Sequence, residues 1–202
     1  MLRFGPAHGP TVIAANALFE EGNRTRAVLV DVLRRLAARG IASALPDLPG
    51  VGESETATVD ARLPAWRHAF AAAAATLPGP VHVLAIRGGA LVDAEAAVAS
   101  RFYWSPQTGA DAVRELRRVR TASASQDYAG NLIHDDMIAA LEVAQPVTLP
   151  PLRVVRLDSD PRAADRKPAA APPWRAIGPG IDPVLQAALA DDIAAWVRGC
   201  DG

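Results

Sequence analysis

Apolar residues in this 202-residue chain fall into short unbroken runs, separated by longer stretches with helical spacing. Thr11 to Asn16, after Gly9-Pro10, reads as a buried strand, and Ile41 to Pro46 and Val81 to Ala85 read as two more. Arg26 to Arg39 places apolar residues at helical intervals and stops at Gly40, where a C-cap favours a residue without a Cβ. Leu63 to Leu77, with Trp66, Phe70 and an alanine run, predicts a helix that ends before Pro78-Gly79-Pro80. Gly89 to Ala99 predicts a helix of small residues packed against a sheet, and Arg101 to Trp104 a strand closed by Ser105-Pro106. Ala110 to Thr121 predicts a basic amphipathic helix with Val113, Leu116 and Val119 on one face and Arg114, Arg117, Arg118 and Arg120 on a wetter one. Met137 to Val143 adds a short helical piece. Leu152 to Leu157 and Trp174 to Ile177 read as the last strands, with a surface loop over Pro161 to Pro173 between them. Pro183 to Arg198 reads as a closing helix with proline in its first turn, and Gly178-Pro179-Gly180 before it as a turn.

Strands separated by helices imply parallel pairing, because parallel neighbours need long crossover connections. The expected fold class is therefore α/β: a three-layer α/β/α sandwich with a mostly parallel sheet, formed by residues 1–202 as one domain. In such sheets ligands bind at the carboxyl ends of the strands. Site residues are thus sought just after Asn16, Pro46, Ala85, Trp104, Leu157 and Ile177.

At one of these ends, Val81 to Ala90 runs as strand, glycine turn and helix, which is the pattern of a nucleophile elbow, G-x-S-x-G. Its tip holds Arg87 where a serine would attack, and a guanidinium is no nucleophile. The loop Asp47-Leu48-Pro49-Gly50-Val51-Gly52-Glu53-Ser54 resembles the D-x-x-G-x-G-x-S segment of α/β-hydrolase proteins, where its role is structural. Phe19-Glu20-Glu21, Asn23 and Ile86-Arg87-Gly88-Gly89-Ala90 add a narrower likeness, to the exosortase A system-associated hydrolase-like proteins. One branch of these carries arginine at the elbow. Tyr128-Ala129-Gly130-Asn131-Leu132 and Pro172-Pro173-Trp174 are similar to two further stretches of that group. The resemblance implies a minimal α/β-hydrolase-like fold with reduced N-terminal strands and no large lid. It also implies a bacterial setting linked to exopolysaccharide production and exosortase sorting.

A working hydrolase of this fold needs a nucleophile on the elbow, an acid after a later strand and a histidine after the last strand. Asp158 or Asp160 stands at the acid position, but no histidine follows Asp160. His8, His68 and His82 read as packing or surface residues, and His134 as a cap or surface residue. No catalytic residue is assigned. The candidate crevice residues are Arg87, Glu20, Glu21, Asn23 and Ser105. The loop that would feed an oxyanion hole offers Glu20 and Glu21, which oppose an anion but suit a guanidinium. The expectation is that one of these carboxylates holds Arg87. Arg87 and Arg26 are also candidates to bind a small carboxylate or phosphate.

The chain carries 21 basic against 22 acidic residues, a formal charge of −1, so the arginine face of the basic helix reads as solvated and no nucleic-acid partner is expected. Cys200 is the single cysteine, which leaves no disulfide or cysteine metal site, and no cofactor is expected. The start, Met1 to Pro6, lacks the apolar core of a signal peptide and no run reaches about 18 apolar residues, so a cytoplasmic protein without membrane insertion is expected. The leading functional expectation is a catalytically impaired hydrolase-like protein with a binding, scaffold or regulatory role toward a small anionic ligand or a protein partner. The alternative is an atypical serine esterase or thioesterase, drawn with Ser105, Asp158 and His134. A third reading is a homodimer that buries the crevice or the Trp104 region.

Overall fold

Burial on both faces decides how the central strands sit, and the apolar runs Thr11–Ala15, Ala42–Leu45 and Val81–Ile86 are buried throughout. The computed structural model describes residues 1–122, 127–128, 130–178 and 180–200. Six strands form one sheet: β1 (Leu2–Phe4), β2 (Thr11–Ala15), β3 (Ala42–Leu45), β4 (Val81–Ile86), β5 (Ser100–Trp104) and β6 (Leu152–Val155), in the order β1-β3-β2-β4-β5-β6. β1 pairs antiparallel with β3, and every other pairing is parallel. Five helices, α1 (Phe19–Ala38), α2 (Leu63–Ala75), α3 (Gly109–Ala122), α4 (Asp135–Val143) and α5 (Pro183–Cys200), cover both faces. This is the expected α/β/α sandwich, with a short β1 added at the edge and no large lid among the described residues.

Successive residues of β2 and β4 feed opposite cores. Val12, Ala14, Leu84 and Ile86 point to one face, where Val28, Leu29, Val32, Leu33 and Leu36 of α1 meet Leu185, Leu189, Ile193 and Val197 of α5. Ile13, Ala15, Val83 and Ala85 point to the other, against Trp66 and Phe70 of α2 and Met137, Ile138 and Leu141 of α4. On β4 the polar exception, His82, is buried and shares a hydrogen bond of 2.8 Å with Ser100 on β5. The Asp47 to Ser54 loop ties itself together: Ser54 Oγ accepts from the N–H groups of Gly50 and Thr56, and Trp66 Nε1 donates to the Pro49 carbonyl at 2.7 Å. Asp47 accepts from Arg26 at 3.3 Å and from the amino terminus at 3.2 Å.

Several elements depart from expectation, each for a local reason. α1 begins at Phe19 rather than Arg26. Asn16 donates to the Gly22 carbonyl and accepts from Thr25 Oγ1, both at 2.8 Å, which fastens the strand end to the first turns. Glu20 and Glu21 lie in that first turn, where negative charge suits the helix dipole. Gly89 to Ala99 forms no α-helix but two 3-10 turns, Arg87–Leu91 and Asp93–Glu95. Asp93, fully buried, is drawn inward by Arg101 Nε at 2.7 Å and by the Tyr103 hydroxyl at 2.9 Å, and this pins the chain too tightly for a regular helix. Trp174 to Ile177 forms no strand. Pro172 and Pro173 cannot donate to a ladder, and the open side of β6 is already taken by Asp165 to Pro168, with Asp165 N–H donating to Val154 O at 2.8 Å and Arg156 N–H to Arg166 O at 3.1 Å. The segment instead makes a 3-10 turn, Pro173–Arg175, that buries Trp174 against Trp104. Trp104 itself is 1% exposed beneath that contact, while Val119 on α3 is 40% exposed rather than buried. Ala129 and Pro179, parts of two expected motifs, lie outside the described residues.

Gly89 lies where the first 3-10 turn crosses the end of β2. A Cβ there would stand 2.5 Å from the carbonyl oxygens of both Ala15 and Asn16, and neither backbone can retreat. Gly89→Ala is expected to destabilise the protein by about 1–3 kcal/mol. The check is a lower urea midpoint at unchanged slope.

Candidate functional site

The carboxyl ends of β4 and β5 turn sharply, and both turns hold non-glycine residues in the left-handed region: Arg87 at φ +53° and Ser105 at φ +49°. The Arg87 backbone thus keeps the elbow shape. Its side chain is only 5% exposed, so the guanidinium, which does not lose its charge, needs partners. Glu21, from the first turn of α1, accepts from Nε at 3.2 Å and from Nη2 at 3.0 Å, a two-point clamp. Glu115, from α3, accepts from Nη2 at 2.9 and 3.1 Å. The Trp174 ring covers the guanidinium face at 4.7 Å from its centroid.

Of the two glutamates in the first loop, only Glu21 reaches Arg87. Glu20 pairs instead with Arg24 at 2.6 Å, and Arg24 Nη1 donates to the Trp174 carbonyl at 3.2 Å. Glu20 therefore acts one step away: it orients the arginine that holds the tryptophan that caps Arg87. Asn23 is exposed and lines a different cavity, about 290 Å³, together with Arg26 and the Gly50 to Gly52 turn. Arg26 is thus separated from Arg87.

Burial is the largest influence on Glu21 and pushes its carboxyl from an ordinary 4.5 up to about 7, with Glu115 adding to the rise and Arg87 opposing it. Burial also works against the Glu115 carboxylate, but Arg87, Glu21 and Gln107 outweigh it and hold this group below its ordinary range. One guanidinium thus faces two carboxyls, of which Glu21 is the more readily protonated.

The remaining candidates are placed apart from any triad geometry. Asp158 is exposed. Asp160 is held well below the usual carboxylate range, first by Arg162 and then by Arg156, with Arg162 Nη2 at 2.8 Å and Arg156 Nη1 at 3.0 Å. His134 caps α4, its Nδ1 accepting from the Asp136 N–H at 3.1 Å, and His8 and His68 are exposed. Among the described residues no histidine lines either cavity beside Arg87. Ser105 is 1% exposed and its Oγ has no hydrogen-bond partner among the described residues. Among these residues no group of three histidine, cysteine or carboxylate side chains is placed to hold a metal ion.

Two cavities flank the Arg87 cluster and share Gln107, Glu115, Trp174 and Arg175 as a common wall. One, about 380 Å³, is mostly apolar, with Leu18, Phe19, Leu116 and Tyr128 among its walls. The other, about 440 Å³, holds Arg87 and Ser105 with Asp111, Arg114, Asp160 and Arg162. Sequence reasoning missed Glu115 and Trp174. The one available signal was Glu115 itself, an acid beside the apolar stripe of a helix whose other charged residues after Asp111 are all arginines.

The parallel sheet, the crossover helices and the sharp turn after β4 define the chain as one with the α/β-hydrolase fold. Its structure is similar to Est1E from Butyrivibrio proteoclasticus, solved with ferulic acid, at a TM-score of 0.61 and 15% identity, covering 96% of this chain and 91% of that one. Alpha/beta hydrolase domain-containing protein 10 from mouse matches at a TM-score of 0.60 and 11% identity over 98% and 93% of the two chains. The pyrethroid hydrolase PytH matches at 0.55 and 14% over 96% and 99%. At these identities the likeness is one of fold. No protein-family model matches the chain, and no curated protein matches it. No helix among the described residues is long and apolar enough to cross a membrane.

Two measurements probe the cluster. Because Glu21 binds its proton more tightly when folded, its contribution to stability is complete below about pH 4.5 and is lost as pH rises toward about 7. Unfolding free energy is expected to fall over that window, and Glu21→Gln to flatten the slope, in urea titrations at several pH values. Arg87→Met leaves two carboxylates facing each other and is expected to cost roughly 3 kcal/mol, part of which returns when Glu21→Gln is added.

Proposed function

We propose that this protein is a non-hydrolytic member of its fold class, a single domain that binds a small anionic ligand in the crevice beside Arg87. The observation that carries the reading is Arg87 itself: the position that must present a nucleophile presents a guanidinium clamped by Glu21 and Glu115. Attack on a carbonyl also requires donors aimed at developing negative charge. The first turn of α1 supplies Glu21 there, which would oppose such charge. Among the described residues, the walls of both cavities also carry no histidine, the usual proton acceptor, which supports the same reading.

The motif likeness noted in the sequence supports a bacterial role beside exopolysaccharide production and exosortase sorting, with the domain acting as a binding or regulatory component. A second reading is favoured by one feature. Ser105, in a left-handed turn at the end of β5 and lining the same cavity as Arg87, has a buried hydroxyl with no partner. That makes an atypical serine esterase or thioesterase the competing class.

A fluorophosphonate probe and a panel of short-chain esters and thioesters separate the two. No labelling and no turnover above a heat-denatured control are expected. Labelling of a serine, or turnover lost in Ser105→Ala, would make the protein an enzyme.

A further inference from the structure

Most arginines near the crevice already have their charge answered. Arg162 Nη2 lies 2.8 Å from Asp160 and its Nη1 3.3 Å from Asp111, and Arg114 pairs with Asp111. Three polar groups on the walls of the 440 Å³ cavity stand apart from this accounting. Ser105 Oγ is buried without a partner. Arg87 donates through Nε and Nη2 only, so its Nη1 has no partner among the described residues. The Arg175 side chain, exposed at the rim beside Trp174, makes no hydrogen bond or ion pair among the described residues.

Each of the three is a donor, and Arg175 carries a positive charge that no carboxylate among the described residues answers. A buried hydroxyl normally finds a partner, and a hydroxyl sharing a cavity wall with guanidinium N–H groups is matched by an acceptor with several oxygens. Guanidinium geometry suits planar or tetrahedral oxyanions in particular. The competing carboxylates of the cavity, Asp111, Asp160 and Glu115, are each held by an arginine, so they do not present free negative charge to an incoming anion. The cavity is larger than a bare oxyanion needs.

Resting on the reading of this crevice as a binding site, we infer that the cavity between Arg87, Ser105 and Arg175 is an oxyanion site for a phosphate or phosphomonoester group. Arg87 Nη1 and Ser105 Oγ form its floor. Arg175 closes over the outer oxygens, and the volume beyond them holds the organic part of a monoester. The apolar cavity meets it across the shared wall of Gln107, Glu115, Trp174 and Arg175.

Thermal melts with inorganic phosphate, matched in ionic strength by chloride, test the site, with a sugar phosphate and a dicarboxylate as further arms. Phosphate is expected to raise the melting temperature by about 2–4 °C where chloride does not. Titration calorimetry is expected to show binding weakened about tenfold or more in Arg175→Ala and in Ser105→Ala. Arg118→Ala, which removes an arginine from the wall of the other cavity only, is expected to bind as the unaltered protein does. A stronger response to the sugar phosphate assigns the ligand to monoesters, and an equal one to free phosphate. A response to the dicarboxylate alone, no response beyond chloride, or unchanged binding in both cavity variants overturns the inference. Ester turnover would not, since it bears on the hydrolytic question alone.

Discussion

An arginine side chain stays ionised at any pH a protein tolerates, so one that is buried at a sharp turn obliges the rest of the chain to answer its charge. Arg87 draws its partners from residues 66 positions earlier and 28 later, and a tryptophan from still further along stacks on it. These contacts link the beginning of α1, the middle of α3 and the turn after β6 above the carboxyl ends of the strands. The same contacts set the chemistry. At the tip of the elbow-shaped turn after β4, this protein places a cation with two carboxyl groups already in contact.

How much of this was legible depended on the range of the physics involved. The parallel strands were visible as apolar runs, because burial on both faces leaves little room for alternation. The start of α1 was not, since Asn16 fastens it by a side-chain link across the strand end rather than by a helical pattern. The stretch from Gly89 to Ala99 has the composition of a helix, yet Asp93 is held by Arg101 and Tyr103 on a strand that the local sequence says nothing about. Trp174 to Ile177 looked like a strand for its bulk, but two prolines and an occupied sheet edge decide otherwise. At the site, Glu21 could be named because its loop follows a strand end. Glu115 and Trp174 could not be assigned, because their meeting with Arg87 is purely tertiary.

Charge near the crevice is distributed unevenly, and that distribution organises function more than the net charge does. Asp160, a plausible catalytic acid by position, is used up in holding Arg156 and Arg162, and Glu20 is used up in holding Arg24. These pairs fix the arginines on the cavity walls, while Glu21, pushed up to about 7 by burial, remains able to take up a proton near neutrality.

The segment Asp165 to Pro168, lying along β6, has a further effect. It satisfies backbone groups that an edge strand would otherwise leave open to a neighbouring molecule. At the opposite edge, β1 is only three residues long and presents little ladder to pair with. Both edges of the sheet therefore offer only short stretches of ladder to a neighbouring strand.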